Sequence, residues 1–433
     1  MTETTPPSDA VRHSEMSQCC RDFARVSASR RSLLKGALMA GGTMAVTQMF
    51  GDAMMQATFA GTKGGNTLVV LSLRGGIDGL GVVVPHGDPG YYTARPNTSV
   101  PKASLLGADS MFGLHPNMST LQSLWDSGEL AAIQGVGLAV PNRSHFSAIE
   151  AVEDADPGSS ARTGWINRMI GLGQGAGTLD GVQLGMNFPT SAMIGPRQLL
   201  ATTDLDGLQI SGIDGTNAAR RYASLATAWN GATGAMASGA AEAVSISKGA
   251  GATLATMADS SVAYPAQWYA TPFAEPLESA AKLIKADLGT DVIAIDAGSW
   301  DLHTGYGSVS SGTMQQNISG LATSLAAFFS DLGTRRSNVT VVTISEFGRR
   351  VAENGSRGFD HGWGNMMLVA GAGVKGGQYY GRWTPLQTGV DADLTVTTDY
   401  RNVLGEIVSR RFPDRSVSSL FPGLSYDPIG FMV

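Results

Sequence analysis

Cysteine is nearly missing from this 433-residue chain: the two present, Cys19 and Cys20, stand side by side near the amino terminus. Beyond residue 20 the chain therefore has no disulfide framework, no thiolate metal site and no cysteine nucleophile. Charge is also scarce. Asp, Glu, Lys and Arg make up 15% of the residues, where a typical soluble domain carries about 25%. With 30 basic against 36 acidic residues and no basic block, the chain lacks the electrostatic footprint of a nucleic-acid binder. Histidine is rare, six in all, so any clustering of imidazoles carries information. What the chain does have is 43% hydrophobic residues and 56 glycines. That excludes a disordered chain and describes a loop-rich globular protein with a large buried core.

The first 60 residues stand apart. "SASRRSLLKGALMAGGTMAV" places Arg30 and Arg31 before Leu33, Leu34 and Lys35, with a Gly-, Ala- and Met-rich apolar stretch behind them. This resembles a twin-arginine export signal. The apolar run, 36–50, is too short and too glycine-rich for a stable membrane span. "ATFA" offers Thr58 and Ala60 as small residues for cleavage. The expectation is a leader over 1–60, a mature protein from about residue 61 to 433, and a periplasmic or secreted location. The twin-arginine translocase, which carries folded proteins, is the expected export partner.

The rest reads as alternating elements. "NTLVVLSL" (66–73), "ELAAIQGVGL" (129–138), "TDVIAID" (290–296), "VTVVTIS" (339–345) and "MMLVAGAGV" (366–374) are apolar runs of strand length. Between the third and fourth, Ile318, Leu321, Leu325, Phe328 and Leu332 recur at steps of three and four and form one helical stripe. That β–α–β order predicts a parallel pair of strands. Ser147 with Glu150 forms a capping-box pattern that predicts a helix start. Asp399 is placed to cap a late helix bearing Tyr400, Val403, Leu404 and Ile407. The Ala-, Gly- and Ser-rich stretch at about 217–260 predicts a helical insertion with a break near 231–234. The fold class is α/β: a three-layer, doubly wound, mostly parallel sheet in a single domain.

Ligands of such sheets bind beyond the carboxyl ends of the strands. Four loops leave four expected strand ends. The first, "RGGIDGLG", carries Asp78. The second carries Arg143, Ser144 and His145. The third, "IDAGSWDLHTGYG", carries Asp296, Asp301 and His303. The fourth carries Glu346 in "TISEFGRR", with Asp360 and His361 following in "GFDHGWGN". Carboxylates and imidazoles without thiolates suit a divalent ion: Zn²⁺, Mn²⁺, Ca²⁺ or Mg²⁺. Each motif also has a plainer reading. Ser144 is a serine at a helix entry, Glu346 and Arg349 a buried ion pair, Asp360–His361 a loop clamp, and His86 and His115 turn residues. "RGGIDGLG" lacks the Lys-Ser/Thr of a phosphate-binding P-loop.

"LSLRGGIDGLGVVVPHGDPGYYTARP", "RSHFSAIEAVE", "TGWINRMI", "GSWDLH", "TISEFGRR", "FDHGWGNMMLVAGAGVKGGQYYGRW" and "VTTDYRNVLGEI", taken in order, resemble the exported family filed as domain of unknown function 1501. That family is in turn similar in pattern to the alkaline phosphatase and sulfatase superfamily. The resemblance implies an alkaline-phosphatase-like fold, with divalent metal held at strand ends by Asp and His, and hydrolysis of phosphate or sulfate esters by a hydroxyl nucleophile. Carried over by position, it implies Asp78, Asp301, His303, Glu346 and His361 as metal residues and Ser144 as the nucleophile. From the residues themselves, Asp360 is a further metal candidate beside His361, Asp296 is an alternative to Asp301, Arg143 could hold the anion and His145 could act as a base. The chain departs from the superfamily pattern at Glu346–Phe347, where Asp-His is usual, and in the close spacing of Asp301 and His303. These departures leave room for one ion or none.

Two functional classes follow. The first is an exported metal-dependent hydrolase of a small anionic ester. The second is a non-catalytic envelope binding or scaffolding protein on the same fold. A glycan-binding accessory role is a third, suggested by Trp300, Trp363 and Trp383 alone.

Overall fold

Strand β1 (Thr67–Ser72) is buried along its length, five of its six residues fully, and its side chains alternate between two separate apolar clusters. Val69 and Leu71 face one cluster, Leu68 and Val70 the other. Both faces of the sheet are therefore covered, as a continuous TLVVL run requires. The computed structural model describes residues 65–433 apart from 174–176, 211 and 214. The twin-arginine segment, its expected cleavage point, both cysteines and His13 lie outside the described residues.

The strands are β1, β2 (Val83–Val84), β3 (Gly113–Leu114), β4 (Leu130–Gly137), β5 (Gly181–Leu184), β6 (Leu200–Thr202), β7 (Val292–Asp296), β8 (Val339–Ile344), β9 (Asn365–Gly371), β10 (Gln378–Tyr380) and β11 (Thr398–Asp399). Nine of them form one sheet in the order β10-β4-β9-β8-β1-β7-β5-β6, with β11 also on β4, while β2 and β3 make a separate ribbon. Within the nine-stranded sheet the pairings are parallel except those of β9, which runs against β4 and β8, and the β2–β3 ribbon is antiparallel. The helices of eight residues or more are α1 (His145–Asp154), α2 (Trp165–Leu172), α3 (Ala218–Ala228), α4 (Ala235–Ile246), α5 (Thr271–Lys285), α6 (Thr313–Asp331) and α7 (Tyr400–Arg411).

The layers follow from side-chain periodicity. On one face, Phe273, Leu277 and Ile284 of α5 and Ile318, Leu321, Leu325 and Phe328 of α6 pack on Leu71, Ile293, Ile295 and Val341. On the other, Ile166 and Met169 of α2 and Val403, Leu404 and Ile407 of α7 pack on Val70, Ala294, Val342 and Val369. Each fully buried Leu, Ile or Val side chain contributes about 1.5–3 kcal/mol, so the two clusters carry most of the favourable free energy. The fold is the expected three-layer α/β/α arrangement with a mostly parallel sheet.

Two local expectations need correction, and two strands went unforeseen. The helix after β4 starts at His145 with Ser144 as N-cap, so Ser147 is one turn inside it. Strands β7 and β8 are parallel but not neighbours, because β1 lies between them and pairs with both. Strands β5 and β6, of four and three residues, are too short to show a period in sequence. The α7 cap is as expected: the Asp399 carboxylate accepts the Arg401 N–H at 2.9 Å.

This topology creates one rim. Strands β1, β4, β7 and β8 end there. Because β9 is antiparallel, it begins there, which brings the 346–364 connection and its His361 to the same edge.

Candidate metal centre

Three imidazoles meet at that rim. His361 Nε2 lies 3.0 Å from His145 Nε2 and 3.0 Å from His303 Nε2. Asp301 completes the group. Its Oδ1 is 3.1 Å from His303 Nε2 and 3.3 Å from His361 Nε2, and its Oδ2 is 3.5 Å from His145 Nε2. His145, Asp301 and His361 each offer a ligand atom, all within 4.8 Å of one another.

The outer nitrogens decide the chemistry. His361 Nδ1 donates to the carbonyl of Arg143 at 2.8 Å, an oxygen that can only accept. His145 Nδ1 faces Glu346 Oε1 at 2.6 Å, and His303 Nδ1 faces Asp360 Oδ1 at 2.8 Å. With a proton on each Nδ1, every neutral imidazole turns a lone pair inward from Nε2. Lone pairs 3.0 Å apart repel unless a proton or a cation lies among them. The separations among His145, Asp301 and His361, 3.0–3.5 Å, are close to the ~3.3 Å edge expected of a tetrahedron with Zn–N bonds of about 2.0–2.1 Å. The donor set therefore fits a divalent ion, and an outer acceptor on each ligating histidine is the usual support of such a site.

The electrostatics agree. Burial pulls the His145 imidazole down, but hydrogen bonds to Asp301 and Glu346 and the charge of both outweigh it and hold its pKa up at about 9. The bond to Asp301 raises His303 against burial. Burial favours the neutral form of Asp301, yet hydrogen bonds from His145, His303, His361 and Arg349 hold it far below the usual carboxylate range. Glu346, despite burial, is held low chiefly by His145 and the Gly75 N–H.

Each rim loop contributes for a local reason. In "RGGIDG", Gly75 and Gly76 have φ of +115° and +62°, which glycine adopts without a Cβ clash. Their backbone forms a cradle: Gly75 N–H donates to Glu346 Oε1 at 2.9 Å, and the Gly76 carbonyl accepts from Arg349 Nε at 2.5 Å. In "SEFGRR", the expected Glu346–Arg349 ion pair does not form. Glu346 holds His145, the Phe347 ring packs against His145 and His361 at 4.8 and 4.9 Å, and Arg349 pairs with Asp301.

The expected site residues thus divide. Asp301, His303 and His361 come together, joined by His145, which the sequence placed as a base. Glu346 and Asp360 turn to the outer nitrogens of His145 and His303 and away from the shared centre. Asp78 stands apart: its carboxylate receives Arg95 Nη1 at 2.7 Å, Arg95 Nη2 at 2.9 Å and the Tyr306 hydroxyl at 2.7 Å, all buried. Asp296 is tied to Arg74, and burial, partly offset by that arginine, pushes its pKa up to about 6. The Arg143 guanidinium pairs with Asp393. Ser144 is exposed at the start of α1; its N–H donates to Asn142 Oδ1 at 3.1 Å and its side chain makes no capping bond.

The remaining candidates are structural. His86 bonds the Asp109 carbonyl and His115 Nδ1 accepts the Asn117 N–H, both as turn residues. The indole N–H groups of Trp300, Trp363 and Trp383 donate to the Ala297 and Leu138 carbonyls and to the Asp88 carboxylate. No helix among the described residues is long and apolar enough to cross a membrane.

Among solved structures, similarity extends to a protein in the alkaline phosphatase superfamily from Vibrio parahaemolyticus, at 12% identity over 82% of this chain and 69% of that one, with a TM-score of 0.38. The zinc complex of the C-terminal periplasmic domain of EcEptC from Escherichia coli is 9% identical over 74% and 76% of the two chains, TM-score 0.35. The PsFucS1 sulfatase from Pseudoalteromonas sp. is 12% identical over 89% and 73%, TM-score 0.36. These likenesses are loose, and the fold assignment rests on the sheet order above. No curated protein matches the chain. Residues 66–403 match the family described as Protein of unknown function (DUF1501), and the chain belongs to that family.

Proposed function

We propose that the chain is an exported, metal-dependent hydrolase of phosphate or sulfate esters. The supporting observation is the meeting of three ε nitrogens at Asp301 with every δ nitrogen committed to an acceptor. Three imidazoles and one carboxylate suit Zn²⁺ or Mn²⁺ better than Ca²⁺ or Mg²⁺, which favour all-oxygen shells. A bound ion would supply positive charge to a phosphoryl or sulfuryl oxygen and lower the pKa of a neighbouring hydroxyl. Ser144 is the nucleophile in this reading, an exposed hydroxyl one residue from His145 at the amino end of α1. The N–H groups of that first turn favour an anionic group. Phe347 packs against the rings of His145 and His361. The twin-arginine-like leader supports a place for this activity in the cell envelope.

One observation favours a second reading, a metal clamp without catalysis. All four donors come from the protein, as in structural sites, and they join loops after β4 and β7 to the one before β9. The experiment is elemental analysis of the purified full chain with assays on aryl phosphate and aryl sulfate esters, repeated with Ser144→Ala and His361→Ala. Near-stoichiometric metal lost in His361→Ala, with turnover lost in both variants, supports the hydrolase. Metal without turnover supports the clamp. A chain that stays metal-free after supplementation with Zn²⁺ and Mn²⁺ ends both.

A further inference from the structure

We infer that Arg349 is a positioning residue of this centre, acting through Asp301: it holds that carboxylate where the three ε nitrogens meet. The inference rests on the metal reading above. Arg349 is 2% exposed, and each nitrogen of its guanidinium is hydrogen-bonded. Nε donates to the Gly76 carbonyl at 2.5 Å, Nη1 to the Phe359 carbonyl at 2.8 Å, and Nη2 to the Trp300 carbonyl at 3.3 Å, to the Gly75 carbonyl and to Asp301 Oδ1 at 2.6 Å. Four neutral carbonyls from three segments fix the plane of the fork. The carbonyls provide no counter-charge, and among the described residues Asp301 is the one carboxylate ion-paired with it.

Asp301 needs such an anchor. Its side chain is 43% exposed, so a carboxylate at that place is free to turn toward water when no ion holds it. The other groups bonded to Asp301 are the imidazoles of the centre itself, which would share the same ion. Among the described residues, Arg349 is thus the one ion-pair partner of the Asp301 carboxylate from outside the ligand set. A lysine at this position keeps the charge but not the planar fork, so it cannot hold four carbonyls and a carboxylate together.

The test is a double-variant cycle read on metal binding. Zn²⁺ affinity of the full chain is measured by chelator competition for wild type, Arg349→Lys, Asp301→Asn and the double variant, with visible spectra of the Co²⁺-substituted proteins. The expected result is a 10–100-fold weaker affinity in Arg349→Lys, the usual cost of losing a group that supports a ligand, together with an altered Co²⁺ spectrum. In the Asp301→Asn background the same change should have little further effect, because residues that act through one another are not additive. A full loss from Arg349→Lys on top of Asp301→Asn would overturn the inference, since Arg349 would then act by holding loops alone. Unchanged affinity and spectrum in Arg349→Lys would also overturn it. Should the lysine variant fail to fold, Arg349→Gln, which keeps two N–H donors, enters the same cycle. A wild-type chain that takes up no metal ends the parent reading and this one together; a wild type that binds while both Arg349 variants bind equally well ends this one alone.

Discussion

His145 Nε2 and His361 Nε2 lie 3.0 Å apart while the opposite nitrogen of each ring is committed to an acceptor, Glu346 for one and the Arg143 carbonyl for the other. Without an ion the pair must hold a proton, and the carboxylates nearby make that favourable. Metal and protons therefore compete for the same lone pairs.

The competition gives a pH dependence of definite sign. Below a pKa of about 9 the metal-free His145 is protonated, and His303 is raised in the same direction. Binding must expel those protons, so affinity should rise with pH by up to about tenfold per unit for each protonated imidazole. The contribution of His145 should level off above about pH 9. Zn²⁺ affinities at pH 6.5, 7.5 and 8.5 check this, and a flat profile would contradict protonation of these imidazoles in the metal-free chain.

The two acidic groups behind the imidazoles should differ in effect. The Glu346 side chain is 1% exposed and that of Asp360 is 60% exposed. Solvent screens the second and not the first. Glu346→Gln should weaken metal binding toward the 100-fold end of the 10–100-fold range, and Asp360→Asn toward the tenfold end. The reverse order in a chelator competition would mean that the Glu346–His145 contact does not orient the ring.

Much of the centre was legible because apolar runs reveal strand ends, and strand ends in a parallel sheet share a rim. That reasoning placed Asp301, His303 and His361 in loops whose side chains lie together in the structure. It could not tell which carboxylates face the centre, because Glu346, Asp360 and Asp78 look alike in sequence and differ only in what folds against them. Asp78 was misread because nothing in "RGGIDG" announces Arg95, seventeen residues on, or Tyr306, 228 residues on. Glu346 and Arg349 looked like partners from their spacing, but the chain leaves helix and strand geometry after Ile344, so spacing says nothing about facing. The role of His145 depended on the tautomer, which its partners set.

Asp78 and Arg95 provide a stability prediction separate from metal. Their side chains are 3% and 0% exposed, and the guanidinium also lies over the Phe359 ring at 4.1 Å. Removing one partner of a buried pair strands the other charge and costs about 3–5 kcal/mol. Asp78→Asn should lose about that much in chemical denaturation while the folded fraction keeps its metal. Loss of metal at unchanged stability would return Asp78 to the ligand set.

Gly75 is where backbone geometry and the centre meet, and its substitution separates strain from contact. A Cβ at Gly75 would lie 2.5 Å from the Asp301 backbone nitrogen and 2.9 Å from two Trp300 backbone atoms. Backbone atoms cannot rotate away as a side-chain tip can, so the loop bearing Asp301 must shift. Gly231 is the control: its φ is +78°, also outside the usual range, but a Cβ there meets nothing within 4 Å. Both alanine variants incur the strain of positive φ, about 1–3 kcal/mol, and Gly75, at +115°, the larger share. Gly75→Ala alone should also weaken metal binding, by tenfold or more on the scale set by losing a group that orients a ligand. Thermal unfolding and chelator competition on the two variants decide the matter. Equal metal affinity in both would mean that the Gly75 approach does not set the position of Asp301. A metal defect confined to Gly75→Ala would tie the glycine pair of "RGGIDG" to the carboxylate of "SWDLH", through a contact that neither motif shows alone.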